Sequence, residues 1–340
     1  MRSIKHCFGA FICFSGLLAA TASHCQTTSF EMPIIAGPIP VKEFELVNRI
    51  PRSGLRRLPK ELPVFRYSNA PWGLSAAGLQ ELVELSVFKG TNIAEALHAP
   101  TNTIVINEPF RLATANNADY FTIDPLRGVI FVYNQSVGVN FRSNSPAYDS
   151  IPNFDAIRDR VLHHAQMFGI GTNEIERKAD GAVLLHKADA TTVARGGAVK
   201  FISRRSLGVS RSVLGFTFLG SDEKVEMVLG PNGRLEQFQL KWRPMTAVHT
   251  NRVLGINEIL EKIKLGQVLA NARNEYPDEG IAKITLKDIR IQYYVPFPER
   301  GVPVSTNTNI IPIASILADF KPKSGKSKEG VLFAPILDLR

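Results

Sequence analysis

Residues 224–244 read KVEMVLGPNGRLEQFQLKWRP, and this stretch decides the fold. Lys224–Leu229 reads as one strand, Gly230-Pro231-Asn232-Gly233 as a turn and Arg234–Trp242 as the returning strand. Asn-Gly between two apolar runs is the strongest short-range hairpin signal, because both residues accept the positive φ of a tight turn. Leu235, Phe238 and Leu240 alternate imperfectly with Glu236, Gln237 and Gln239, the mark of a sheet with one solvated face. Upstream, Val213, Gly215 and Thr217 alternate with Leu214, Phe216 and Phe218, so Ser212–Leu219 reads as the preceding strand of the same meander, which Pro244 ends.

Outward from this centre, strands neighbour strands. Residues 104–106 and 120–123 are short β-type runs, and Asp124-Pro125-Leu126-Arg127-Gly128 joins the second of them to Val129–Tyr133 as a hairpin. Further strands are expected at 182–186, 198–202, 282–294, 310–317 and 331–337. Lys321, Lys323, Lys326 and Lys328, with Pro322 and Gly325, read as an exposed hairpin tip. Helical spacing is confined to Trp72–Phe88 with Ser75 as cap, to a segment opening at Ser150 or Asn153 and ending at Gly169 or Gly171, and to one capped by Asn257. The expected fold class is α+β: antiparallel sheets each packed by one or two helices, in two similar halves at 62–180 and 190–340.

The N-terminus sets the expected compartment. Arg2 and Lys5 precede a 16-residue uncharged run, Cys7–Ala22, that closes on Ala20-Thr21-Ala22. This is the pattern of a signal peptide cut after Ala22, and the run is shorter than the roughly 20 residues that span a bilayer. A secreted or periplasmic location follows, with no stable membrane span after cleavage. Cys7 and Cys13 leave with residues 1–22, so no internal disulfide is expected, and the formal charge falls from +9 to +7. Residues 23–61 read as an extended, proline-rich leader carrying Arg49, Arg52, Arg56, Arg57 and Lys60.

Catalytic patterns are missing from the sequence. There is no G-x-S-x-G elbow, no S-x-x-K with its partner motifs, no H-E-x-x-H and no P-loop. Gly196-Gly197 and the 230–233 turn sit between strands, whereas a phosphate cradle opens onto a helix. His163 and His164 point about 100° apart on a helix, which fits charge placement at its C-terminal end better than a metal site. Asp222-Glu223 reads as a solvated turn. No cofactor and no metal are expected, and export argues against nucleic acid as partner.

The arrangement Arg204-Arg205-x-Leu207-Gly208-Val209, Val225–Leu229, the 230–235 turn and Phe238…Trp242-Arg243-Pro244, followed by a helix, Ile289–Tyr294 and Ile311-Pro312-Ile313, resembles the PepSY and YycH/YycI-like group of bacterial extracytoplasmic domains. The resemblance covers 190–340 and, more faintly, 62–180. It implies two PepSY-like halves, no transferable catalytic residues, and a protease-inhibiting, protein-binding or signal-modulating role. The expected function is therefore an exported, non-enzymatic module that binds a protein or extended peptide at a sheet edge or groove. Trp242, Arg243, Tyr293 and Tyr294 are the candidate binding residues. A hydrolase or small-molecule binder with its site between the halves, and a structural envelope component, are the alternatives.

Overall fold

In the computed structural model the described residues are 37–38, 44–51, 58–68, 72–99, 103–138, 150–193, 200–219, 223–271, 280–295 and 309–337. The expected hairpin at 120–133 forms as Asp119–Asp124 against Val129–Asn134, with Asp124 Oδ1 accepting from Arg127 N–H at 3.1 Å. Gly128 closes it at φ +62°, and a Cβ there would lie 2.6 Å from Cβ of Arg243, so both backbone conformation and space demand glycine. The 224–242 hairpin forms as Lys224–Leu229 against Leu235–Lys241, turning through Asn232 (φ 58°) and Gly233 (φ 67°).

These hairpins join edge to edge, Phe131 opposite Gln239, inside one antiparallel seven-stranded sheet. Its strand order is Phe110–Ala113, Asp119–Asp124, Val129–Asn134, Leu235–Lys241, Lys224–Leu229, Lys200–Ser210, His186–Val193. One face packs on the Phe154–Met167 helix, which Asn153 caps by accepting from Ala156 N–H, and on the Ala76–Glu84 helix, which Ser75 caps. Phe121, Ile123, Val132, Leu207, Met227 and Phe238 are fully buried there. At about 1.5–3 kcal/mol per large apolar side chain, this layer supplies the lobe's main driving force.

A second sheet has eight strands. Ile281–Tyr294 pairs with Ile311–Pro322, which pairs with Lys328–Pro335, and the short strands Gly37–Pro38, Leu269–Asn271, Phe216–Leu219 and Ser212–Val213 extend it. Glu45–Asn48 adds in parallel to Ile281–Tyr294. Its core, including Ile284, Leu286, Ile316 and Leu332, is closed by the Ile256–Lys264 helix and by the two-stranded ribbon Glu61–Tyr67/Met245–Arg252.

Among the described residues 51% lie in strands and 19% in helices, so the protein is sheet-dominated and the expected α+β class with sheets balanced by helices is corrected. The extra strands have polar or mixed sequences. His186–Val193 (HKADATTV) and Met245–Arg252 (MTAVHTNR) lack an apolar stripe because both of their faces meet solvent. Ser212–Leu219 is two strands turning at Leu214 (φ 54°) and Gly215 (φ 81°), and it belongs to the eight-stranded sheet, not to the meander. The place beside Lys224–Leu229 is taken by Lys200–Ser210. The expected division at 180–190 runs through the seven-stranded sheet, and parts of 23–61 lie in the eight-stranded one. Residues 1–36, with the signal segment, lie outside the described residues, as do Gly196-Gly197 and Asp222.

His164 is buried beneath the seven-stranded sheet with its ring 5.4 Å from that of Phe238. Burial is the chief cause that pushes its pKa from 6.5 down to about 4; Glu81 opposes the shift and His163 adds to it. The neutral ring is the form the fold accepts. That stability is complete above pH 6.5 and is lost as pH falls from 6.5 towards 4. Urea unfolding should show a loss of about 2–3 kcal/mol from this group between pH 7 and pH 4.5, and His164→Leu should remove that part of the acid sensitivity.

Candidate functional site

The chain leaves the seven-stranded sheet for the eight-stranded one at Arg211 and for the Met245–Arg252 ribbon at Trp242-Arg243-Pro244, and with Glu223 these segments form one buried polar seam. Arg211 and Glu223 form an ion pair whose side chains are 5% and 1% exposed. Tyr67 O–H donates to the other oxygen of Glu223. Arg211 also donates to the Arg243 carbonyl at 2.6 Å and to Glu174 Oε2 at 3.4 Å, and the indole N–H of Trp242 donates to that same Glu174 oxygen at 3.2 Å. The Arg211 guanidinium lies 5.2 Å from the Trp242 ring and 5.7 Å from that of Phe218, and Arg243 sits 4.9 Å over Tyr67. Burial, followed by the charge of Glu223, raises the Tyr67 phenol far above its ordinary value; burial lowers Arg243.

Three of the four candidate binding residues converge on this seam. Trp242 is 6% exposed and presents no platform to solvent. Tyr293 is fully buried; its ring packs on Phe65 and Phe218, and its hydroxyl donates to the Pro63 carbonyl at 3.1 Å. Tyr294, on the opposite face of the strand, packs half-buried among Leu219, Ile313, Val331 and Phe333. Glu223 corrects the reading of Asp222-Glu223 as a solvated turn: it is 3% exposed and fully engaged. His163 and His164 both approach Glu81, at 3.0 and 3.8 Å, and among the described residues no group of three His, Cys, Asp or Glu is placed to hold a metal.

A surface hollow lies elsewhere, on the outer face of the seven-stranded sheet. A hollow of about 260 Å³ crosses five strands there, from Ala188 and Ala190 through Arg204, Ser206, Glu226 and Val228 to Glu236, Gln237 and Tyr133. Its geometry comes from a β-bulge. Leu229 pairs with Leu235 and Val228 with Gln237, so Glu236 is the extra residue. The bulge lets Leu235 enter the core while Glu236 and Gln237 both line the outer hollow. Glu236 is 5% exposed, its Oε2 lies 3.7 Å from Arg204, and its Oε1 has no hydrogen-bond partner. Burial raises its pKa, and Arg204 opposes the rise. Gly230 leaves the space for this carboxyl, since a Cβ there would sit 2.4 Å from Oε1.

Sequence reasoning missed Glu236, although the signal was present: the apolar step from Leu235 to Phe238 is three residues where a strand requires two. The chain matches no family model and none of the curated proteins with which it was compared. No helix among the described residues is long and apolar enough to cross a membrane.

The seam yields a stability test. Glu223→Leu leaves the Arg211 charge buried without its partner and should cost about 3–5 kcal/mol in denaturant unfolding. Adding Arg211→Met should recover a large part of that loss, giving a coupling energy above about 1.5 kcal/mol in the double-mutant cycle.

Proposed function

We propose that the protein is an exported, non-enzymatic module that captures an extended segment of another protein by strand addition along His186–Val193. The observation that carries this reading is the edge itself. Among the described residues His186–Val193, eight residues long, ends the seven-stranded sheet, whereas the other ends of the two large sheets are strands of two to four residues. Proteins ordinarily keep such edges short, since a long one offers a row of backbone donors and acceptors to a passing chain.

Among the described residues, the charged side chains of this strand point away from its edge. Asp189 is held by Arg205 at 2.7 Å and Lys187 lies over the Phe154 ring, both on the helix-facing side. Ala188 and Ala190 lie on the other side, at the end of the hollow. An incoming strand would gain affinity from main-chain hydrogen bonds, and its alternate side chains would meet these small residues, with His186 on the same face. The Met245–Arg252 edge is equally long, but it belongs to a two-stranded ribbon. Export rests on the N-terminal pattern of basic, apolar and small residues, and cleavage after Ala22 should be visible as the mass of the mature chain in the culture or envelope fraction.

Neighbouring backbone N–H groups on a strand point to opposite sides. Of the pair Lys187→Pro and Ala188→Pro, one variant therefore loses an inward ladder bond and the other an outward donor. The variant that keeps the parent Tm within a few degrees should lose at least about tenfold in affinity for peptides selected from a displayed library of extended segments. Unchanged affinity in that variant would remove the edge from the mechanism.

A further inference from the structure

A second open edge lies on the Glu61–Tyr67/Met245–Arg252 ribbon. Thr246, Ala247, Val248, His249 and Thr250 are exposed in succession, so both faces of Met245–Arg252 meet solvent. Among the described residues its one ladder partner is Glu61–Tyr67. That partner reveals where the remaining backbone groups point. Phe65 gives both its N–H and its carbonyl to Ile310, on the far side, at 3.0 and 2.8 Å. Pro63 has no N–H, and its carbonyl accepts from the Tyr293 hydroxyl at 3.1 Å. In an antiparallel pair, residues opposite such positions also turn their N–H and C=O outward. Ala247 lies opposite Phe65 and Thr250 opposite Pro63, so both present a donor and an acceptor to the open edge. We propose that this edge pairs with the same edge of a second copy of the chain, antiparallel about a twofold axis.

Charge is the first argument for a copy. Residues 245–251 (MTAVHTN) contain no Asp, Glu, Lys or Arg, whereas the whole chain has a formal charge of +9. Two such molecules repel over much of their surface, and an uncharged strand is where they can touch. The second is the lack of protection. Open edges are ordinarily guarded by lysine, by proline or by being short, and this one is eight residues long with neither residue in it. The third is the bulge. Ala247 pairs with Phe65 and His249 with Val64, so Val248 is an extra residue and the two outward positions are three residues apart. A regular strand would meet this edge with two residues against one and lose a ladder bond there. A copy carries the same extra residue. The twofold sets Ala247 opposite Thr250 of the partner subunit, and Thr250 opposite Ala247 of the partner subunit, with equal lengths of chain between. Each strand has one free edge, so the assembly closes at two copies. An edge contact is small beside a standard interface of about 800 Å² per partner, so the dimer is expected at concentrations on the order of 10 µM.

The test is sedimentation equilibrium of the full chain from about 1 to about 500 µM, a range that brackets a weak dimer. The mass should rise from one copy to two and no further. Ala247→Pro and Thr250→Pro each remove an outward donor and leave the inner ladder bonds, so each should keep the parent Tm within a few degrees and weaken dimerisation at least about tenfold. Val248→Lys, at a side chain 43% exposed, tests the same contact without a proline. It brings like charges together across the twofold and should weaken the dimer at least about tenfold at low salt and less at high salt. The parent dimer should not weaken with salt, and the folded proline variant of His186–Val193 should dimerise as the parent does. The proposal is overturned if the chain stays a monomer throughout, if the mass passes two copies, or if the parent dimer dissociates in salt. It is equally overturned if every folded variant of the three dimerises like the parent, or if the folded His186–Val193 variant abolishes the dimer.

Discussion

The ion pair between Arg211 and Glu223 sits where the chain leaves one sheet for the other, and the arrangement of both lobes depends on it. Arg211 follows the last residue of Lys200–Ser210 and precedes Ser212–Val213; Glu223 precedes Lys224–Leu229. Their backbones are also joined, Arg211 N–H to the Glu223 carbonyl at 2.9 Å. Taking both charges out of water is expensive, so the pair contributes little net stability compared with an apolar filling of the same space. Its effect is on choice. A strand placed in the wrong sheet would leave a guanidinium or a carboxylate buried alone, and that penalty exceeds what most mispackings cost. The apolar layers, by contrast, tolerate exchange of one aliphatic side chain for another of similar volume. The seam thus fixes connectivity, and the two cores supply the driving force.

The same economy of position explains why the open face of the seven-stranded sheet is built as it is. Its inner face needs Leu235 and Phe238 in the core, three residues apart. A regular strand cannot satisfy that spacing, and the bulge that does so places an acidic side chain where an ordinary strand would show its backbone. Glu236 is then held by Arg204 from two strands away and given room by Gly230. A local irregularity required by packing thus sets a buried acid into the outer face of the sheet.

Much of this architecture was legible from local chemistry. The two hairpins, the caps at Ser75 and Asn153, the lysine-bearing tip at 323–327 and the strand over 282–294 follow from turn residues and periodicity, which act over a few neighbours. The fold class did not follow, because strands such as Met245–Arg252 bury almost nothing and carry no apolar pattern. Pairing was also hidden. Nothing local says that Val129–Asn134 should meet Leu235–Lys241, a hundred residues on, since antiparallel partners share no sequence code beyond compatible faces. The site residues show the same limit. Trp242, Arg243 and Tyr293 stand out by type, and their convergence is real, but they meet inside the protein; whether an aromatic faces water depends on what the rest of the chain lays over it.

The strand order also governs how the molecule can come into being. Glu45–Asn48 finds its neighbour in Ile281–Tyr294, and the central strands 281–294, 311–322 and 328–335 are synthesised after all the other described strands. The first lobe is no better served, since its 110–134 ribbon waits for residues 200–241. Most of the polypeptide must therefore be delivered before either layer can close, with long β-prone segments exposed in the meantime. A chain with this wiring keeps β-prone segments unpaired for longer during synthesis than a fold built from local contacts would.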